Sequence, residues 1–111
     1  MIWQALLLLL GAVLAQARVI EVTAANVQLV LRSGGLPMLL THPQCPHSSA
    51  YAEKFIRIRS EQNLGIIDCL KDKVICEFFN ITLYPTLLHV SKETVRSLDK
   101  DHFLLEHNVI E

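Results

Sequence analysis

The sequence predicts an α/β domain in which helices flank both faces of a central mixed β-sheet, in the order β-α-β-α-β-α-β-β-α. Three observations carry that reading. Two continuous apolar runs, "LPMLLT" (Leu36–Thr41) and "LGIIDCL" (residues 64–70), have the length of strands buried on both faces. Between them, "SSAYAEKFIRIRSEQN" sets Tyr51, Phe55 and Ile58 at i, i+4 and i+7 with charges on the remaining face, which predicts an amphipathic helix through about Gln62. After Pro85, a strand over Thr86–Val90 is followed by "KETVRSL", whose composition suits an antiparallel hairpin partner.

The other elements follow in chain order. "VIEV" is a short β-prone run. In "TAANVQLVLRSGG", Val27, Leu29, Val30 and Leu31 give a helix face, with Thr23 as the expected N-cap and Gly34-Gly35 as the stop. "KDKVICEFFN" reads as a short helix packing Val74, Ile75, Phe78 and Phe79, with Asn80 in the left-handed conformation at its end. "DKDHFLLEHNVI" is the last helix, capped by Asp99 or Asp101.

Ahead of these elements, residues 1–17 read as a secretory signal peptide, leaving 18–111 as a single domain. An apolar block is followed by the cleavage pattern Ala15-Gln16-Ala17, although no Lys or Arg precedes the block. An uncleaved anchor is the alternative, but spanning a bilayer takes roughly 20 apolar residues. All charged side chains lie in the remaining chain, whose net charge of −1 includes no basic stripe, so nucleic acid is not an expected partner. No membrane contact is expected once the leader is removed. The ending "EHNVIE" matches no KDEL-type retrieval signal, so the expected location is the endoplasmic reticulum lumen or the exterior.

Three cysteines in an oxidising compartment suggest one pair and one remaining thiol. Cys69 and Cys76 bracket "LKDKVI", a gap short enough for a local bridge, which leaves Cys45. A pair that reshuffles with Cys45 is the alternative. Cys45 stands in "THPQCPHSSAY", where a helix begins. A thiol there meets free N–H groups and the positive end of the helix dipole, which favour thiolate over thiol. Pro46 suits the first turn, because its missing N–H would have had no partner. His47, when protonated, adds positive charge beside the sulfur. Ser48 sets the limit: a hydroxyl cannot do what a second thiol does, which is to expel a bound partner.

The strand "LPMLLTH", then Cys45-Pro46-His47-Ser48 opening a helix, then "IIDCL" and "FFNITLYPTLLHV" together resemble the thioredoxin fold, most closely a domain of the protein disulfide isomerase family. The resemblance covers nearly all of residues 18–111. It places Cys45 in the slot of the attacking cysteine of Cys-x-x-Cys and Ser48 in that of the resolving cysteine. Tyr84-Pro85-Thr86 falls in the slot of the cis-proline loop, which implies that Tyr84 and Pro85 form a peptide-docking edge. Cys69 and Cys76 match the accessory disulfide of some isomerase domains. Two departures stand out: Gln44 replaces a commonly aromatic residue, and Leu39 replaces a buried acid that serves the second cysteine.

The implied chemistry is a mixed disulfide between Cys45 and a client protein, lasting until an external thiol resolves it. Retention, chaperoning or limited isomerisation suits this site better than a dithiol oxidase or reductase cycle, and enzymatic turnover is left open. The alternatives are a non-redox peptide-binding module and a monothiol oxidoreductase that uses glutathione. No cofactor is expected. His42, Cys45 and His47 do not make a metal site, because no second ligand cluster accompanies them. His89, His102 and His107 read as surface or half-buried side chains. Asn80-Ile81-Thr82 is an N-glycosylation sequon, and a glycan there would lie a few residues from the Tyr84-Pro85 segment.

Overall fold

The computed structural model describes residues 18–58 and 62–107. The expected signal peptide at 1–17 and residues 108–111 of the expected domain lie outside the described residues. Nine elements follow in order: β1 (Val19–Glu21), α1 (Val27–Arg32), β2 (Leu36–Thr41), α2 (Pro46–Phe55), β3 (Leu64–Asp68), α3 (Lys73–Phe78), β4 (Thr86–Val90), β5 (Val95–Ser97) and α4 (Lys100–Glu106). The strands form one sheet in the order β1-β3-β2-β4-β5. β1 and β2 both run parallel to β3, while β4 runs antiparallel to β2 and to β5. This is the mixed sheet with an antiparallel closing hairpin that the sequence predicts.

The sheet is organised around β2, whose six residues are all buried. Leu36, Met38 and Leu40 face one layer with Val30 of α1 and Ile75 and Cys76 of α3. Leu39 faces the opposite layer with Tyr51 and Phe55 of α2 and Phe103 of α4. Strand alternation thus sends α1 and α3 to one face and α2 and α4 to the other. Complete burial of one such aliphatic side chain is worth about 1.5–3 kcal/mol, so β2 is the strongest local contribution to the core.

Four details differ from the sequence reading. Helix α1 is capped by Asn26 rather than Thr23. Thr23 instead starts a preceding turn, donating its N–H to Asn26 Oδ1 at 2.8 Å and accepting from the Val27 N–H at 2.9 Å. Leu29 points away from the core that holds Val30. Helix α2 stops at Phe55 rather than near Gln62, because short i→i−3 bonds from Arg57 to Lys54 and from Ile58 to Phe55 tighten the end. That tightening drops Ile58 into the core and leaves Ile56 outside. In α3, Ile75 and Phe79 pack inward, while Val74 and Phe78 are 76% and 82% exposed. The disulfide at Cys76 fixes which face of this short helix points in, and it turns positions 74 and 78 outward.

Asp99 caps α4, its Oδ1 accepting from the His102 N–H at 2.9 Å. The two helices of the lower layer are joined by Tyr51, whose hydroxyl donates to the Lys100 carbonyl at 2.8 Å. Burial, with Asp101 and Asp99 adding to it, raises the Tyr51 pKa well above its ordinary value of 10.0. A raised folded-state value means the native state holds this proton after the unfolded chain has lost it. Its stabilising effect is therefore complete below pH 10 and declines above it. Tyr51→Phe is expected to cost about 1 kcal/mol near neutrality. The gap between wild type and Tyr51→Phe should narrow as pH rises above 10, measured by denaturant unfolding across pH.

Candidate functional site

The site is built where β2 runs out and α2 begins. Thr41 ends the strand with its hydroxyl donating to Ile67 O at 2.9 Å across the parallel pair. The chain then turns sharply: the Cys45 N–H donates to His42 O at 2.9 Å, and the Gln44 N–H to His42 Nδ1 at 3.3 Å. Cys45 is the N-cap of α2 with an extended backbone, and Pro46 fills the first helical position. The first intrahelical bond runs from the Ser49 N–H to Cys45 O at 3.1 Å. No side chain caps this helix. Its first-turn N–H groups and the positive end of its dipole are therefore left beside the segment that carries the thiol.

Cys45 is a free, half-buried thiol. Its Sγ donates to the Tyr84 carbonyl at 3.9 Å, so residues far apart in the chain meet at the site. The Tyr84–Pro85 peptide bond is cis. The Tyr84 ring lies against that of His42, with centroids 5.4 Å apart. Two further bonds hold the Tyr84-Pro85 segment: the Thr86 hydroxyl donates to Leu83 O at 2.5 Å, and Lys100 Nζ donates to Pro85 O at 2.8 Å. Lys100 therefore grips the loop with its amine and Tyr51 of α2 with its carbonyl.

Ser48 is fully buried, and its Oγ accepts from the His42 N–H at 2.8 Å. A backbone N–H partly removed from water gains from an acceptor, and the half-buried His42 finds one three residues into the helix. The serine is thus a structural tie across the turn as well as an occupant of the fourth position of Cys-x-x-Ser. His47 is exposed on the first turn of α2. Leu39 is fully buried among apolar neighbours.

On the far side of Tyr84, a cleft of about 330 Å³ runs from His42 past Ile81 to Lys73 and Glu77, with Cys69 and Cys76 in its wall. These two cysteines form a disulfide with Cα atoms 5.7 Å apart. Among the described residues, no group of three or more His, Cys, Asp or Glu side chains is placed to hold a metal ion. Asn80 is exposed at the end of α3 with a φ of 57°. The structure therefore brings Cys45, Ser48, Tyr84 and Pro85 together around one turn and leaves His47 outside it. It adds three residues that the sequence did not single out for the site: His42 as a hydrogen-bonding and stacking partner, Thr41, and Lys100. The Lys100 contact spans 15 positions to Pro85 and has no local motif.

Solved structures with a similar fold include thioredoxin domains. The first thioredoxin domain of mouse protein disulfide-isomerase A4 is 14% identical, with a TM-score of 0.66 over 78% of this chain and 70% of that one. Spinach chloroplast thioredoxin f, in a short form, is 16% identical, with a TM-score of 0.64 over 83% of this chain and 92% of that one. Human ERp44 in a zinc-bound form is 15% identical, with a TM-score of 0.63 over 70% of this chain and 25% of that one, so this chain spans about a quarter of that protein's length. No family model and no curated protein matches the sequence. The chain has the thioredoxin fold.

Ser48→Ala removes the acceptor of the half-buried His42 N–H. It is expected to cost about 1 kcal/mol and to speed amide exchange at His42. Urea titration and exchange-detected mass spectrometry check both. Unchanged stability with unchanged exchange would mean that the Ser48 bond does not hold the turn.

Proposed function

We propose that this is a secretory-pathway protein that captures client proteins through a mixed disulfide at Cys45. It then retains or chaperones them, with limited isomerisation of their disulfides at most. One observation carries the reading. A half-buried free thiol sits at the N-cap position of α2, while the position of a second thiol holds a buried serine whose oxygen is already bonded. The likeness to a domain of protein disulfide-isomerase A4 supports thiol–disulfide chemistry for this fold. The expected leader at residues 1–17 supports entry into the lumen, where client disulfides exist.

The step is an exchange. The Cys45 thiolate attacks one sulfur of a client disulfide, a Cys45–client S–S bond forms, and the client's own S–S bond breaks. The displaced client sulfur leaves as a thiolate and takes a proton from water. In a dithiol site the second cysteine would now attack Cys45 and free the client. Ser48 cannot, because an alcohol is far too weak an acid to supply the needed anion, and its oxygen faces the His42 N–H. Cys69 and Cys76 are bonded to each other. Release then waits for an external thiol such as glutathione, or for a client thiol that attacks in turn and leaves rearranged. Client main chain would lie along Tyr84 and Pro85, beside Sγ.

A second reading, peptide binding without the thiol, is favoured by the apolar side chains exposed around the cleft. Leu83, next to Tyr84, is 77% exposed, and Leu70 at the cleft wall is half exposed. The two readings separate in one experiment. Wild type, Cys45→Ala and Ser48→Cys are expressed in secretory cells, quenched with an alkylating agent and run on non-reducing gels. Capture predicts client adducts in wild type, none in Cys45→Ala, and at least an order of magnitude fewer in Ser48→Cys, where a resolving thiol is restored. Clients that co-purify equally with wild type and Cys45→Ala, but not with a Tyr84 variant, would establish the second reading instead.

A further inference from the structure

The end of α3 shows two features that packing does not explain. Its last residue, Phe78, is 82% exposed, although its ring meets that of Phe79 edge to face with centroids 5.4 Å apart. An aromatic ring left so far in water forgoes the burial that its area would reward. Two residues later, Asn80 takes up a left-handed conformation that a glycine adopts without cost. Its N–H donates to Glu77 O at 3.0 Å, and the Ile81 N–H donates to Cys76 O at 3.2 Å. These bonds form a Schellman cap with asparagine in the usual glycine place. Ile81 packs against the core cluster that contains Cys76, and the Cys69–Cys76 disulfide anchors that cluster's side of the turn. Asn80 and Thr82, on either side of Ile81, are both exposed. The sequon is thus displayed on a fixed turn, with Asn80 and Thr82 exposed and a largely exposed aromatic ring two residues upstream.

We propose that Asn80 carries an N-linked glycan whose first N-acetylglucosamine lies over the ring of Phe78. The proposal rests on the secretory-pathway reading above, since the co-reactant is a lipid-pyrophosphate-linked oligosaccharide found on the lumenal side. In the transfer, a bond forms between sugar C1 and Asn80 Nδ2, the C1–O bond to the pyrophosphate breaks, and the lipid pyrophosphate departs. The amide nitrogen gives up one proton and keeps the other. An N-acetylglucosamine ring has a face of C–H groups with no hydroxyl on it. That face suits the negative face of an aromatic ring and removes apolar surface of both partners from water. It supplies the cover that Phe78 lacks, and it gives a reason for asparagine where glycine would cap the helix at lower cost.

The full chain and its Asn80→Gln, Thr82→Ala and Phe78→Ala variants are expressed in glycosylating eukaryotic cells, and the mature N-terminus is read by mass spectrometry from the same samples. Wild type is expected to carry a mobility shift that peptide-N-glycosidase removes, and Asn80→Gln and Thr82→Ala are expected to run unshifted. Enzymatic deglycosylation should lower the Tm of wild type by a few degrees and leave Phe78→Ala nearly unchanged. The inner sugar's ring protons should show upfield ring-current shifts that Phe78→Ala abolishes. Phe78 is exposed, so this variant keeps its core. A chain cleaved after Ala17 with an unmodified Asn80 would overturn the glycan and leave the secretory reading intact. An uncleaved chain with an unmodified Asn80 would overturn both. Equal Tm losses in wild type and Phe78→Ala on deglycosylation would overturn the stacking.

Discussion

The burial of β2 on both faces is the constraint on which the rest of the molecule depends. A strand with parallel and antiparallel neighbours and a helical layer above and below has no freedom of register. A one-residue slip would move Leu39 into the layer of Met38 and Leu40, and theirs into the layer of Phe55. Fixed register decides where the strand ends, at Thr41 opposite Asp68. Cys45 can then fall only where the chain turns over the sheet edge into α2. The thiol's position is a consequence of core packing several residues away. The same register aligns Leu40 with Thr86 of β4, which brings the Tyr84-Pro85 segment to the turn from the other side.

Within that frame Ser48 has two effects that a cysteine would divide differently. Its oxygen is a strong acceptor for the His42 N–H, whereas sulfur accepts weakly at longer range. The turn that presents Cys45 is therefore held more firmly by the hydroxyl than a thiol in the same place would hold it. Under the proposed capture reading, the hydroxyl also removes the group that would expel a bound client, so rigidity of presentation and persistence of the adduct would come from one atom. Leu39 fits the same logic. With no second thiol to deprotonate, a buried acid at that position would carry a desolvation cost and no compensating role, and an aliphatic side chain fills the layer instead.

The mixed sheet and the order of elements along the chain were legible in the sequence because β2, β3 and β4 are continuous apolar runs, while the order of strands within the sheet came only from the structure. The turn at Cys45 was legible because proline and cysteine at a strand-to-helix junction have strong local meanings. Helix ends and the faces of short helices were not. Ile56 and Ile58 both extend the apolar period of α2, and only the burial of Ile58 in the cluster with Leu64 and Phe55 decides that the helix must tighten before it. In α3, six residues contain apolar side chains nearly all round, so periodicity could not choose a face, and a covalent bond at Cys76 chose it. Lys100 was invisible for another reason. A lysine at the start of a helix reads as solvated surface, and its two contacts depend on tertiary distances that no local pattern encodes.

The two sides of the site are supported by different kinds of bond, and this bears on how it behaves. The Cys45 side rests on backbone and hydroxyl hydrogen bonds rooted in the core, from Thr41, His42 and Ser48. The Tyr84 side is approached from α3 through the Schellman turn at Asn80, and α3 itself is pinned by the Cys69–Cys76 bond. The first support is insensitive to redox conditions, while the second contains a disulfide that lies in the wall of the same cleft as His42 and Tyr84. Loss of that bond would leave a six-residue helix, too short to be stable by itself in water, held by the packing of Ile75, Phe79 and Ile81 and by its terminal cap. The loop beside Sγ would lose its anchor while the thiol kept its own. Cys69 and Cys76 are both nearly fully buried, and the placement of the Tyr84-Pro85 segment depends on the bond between them.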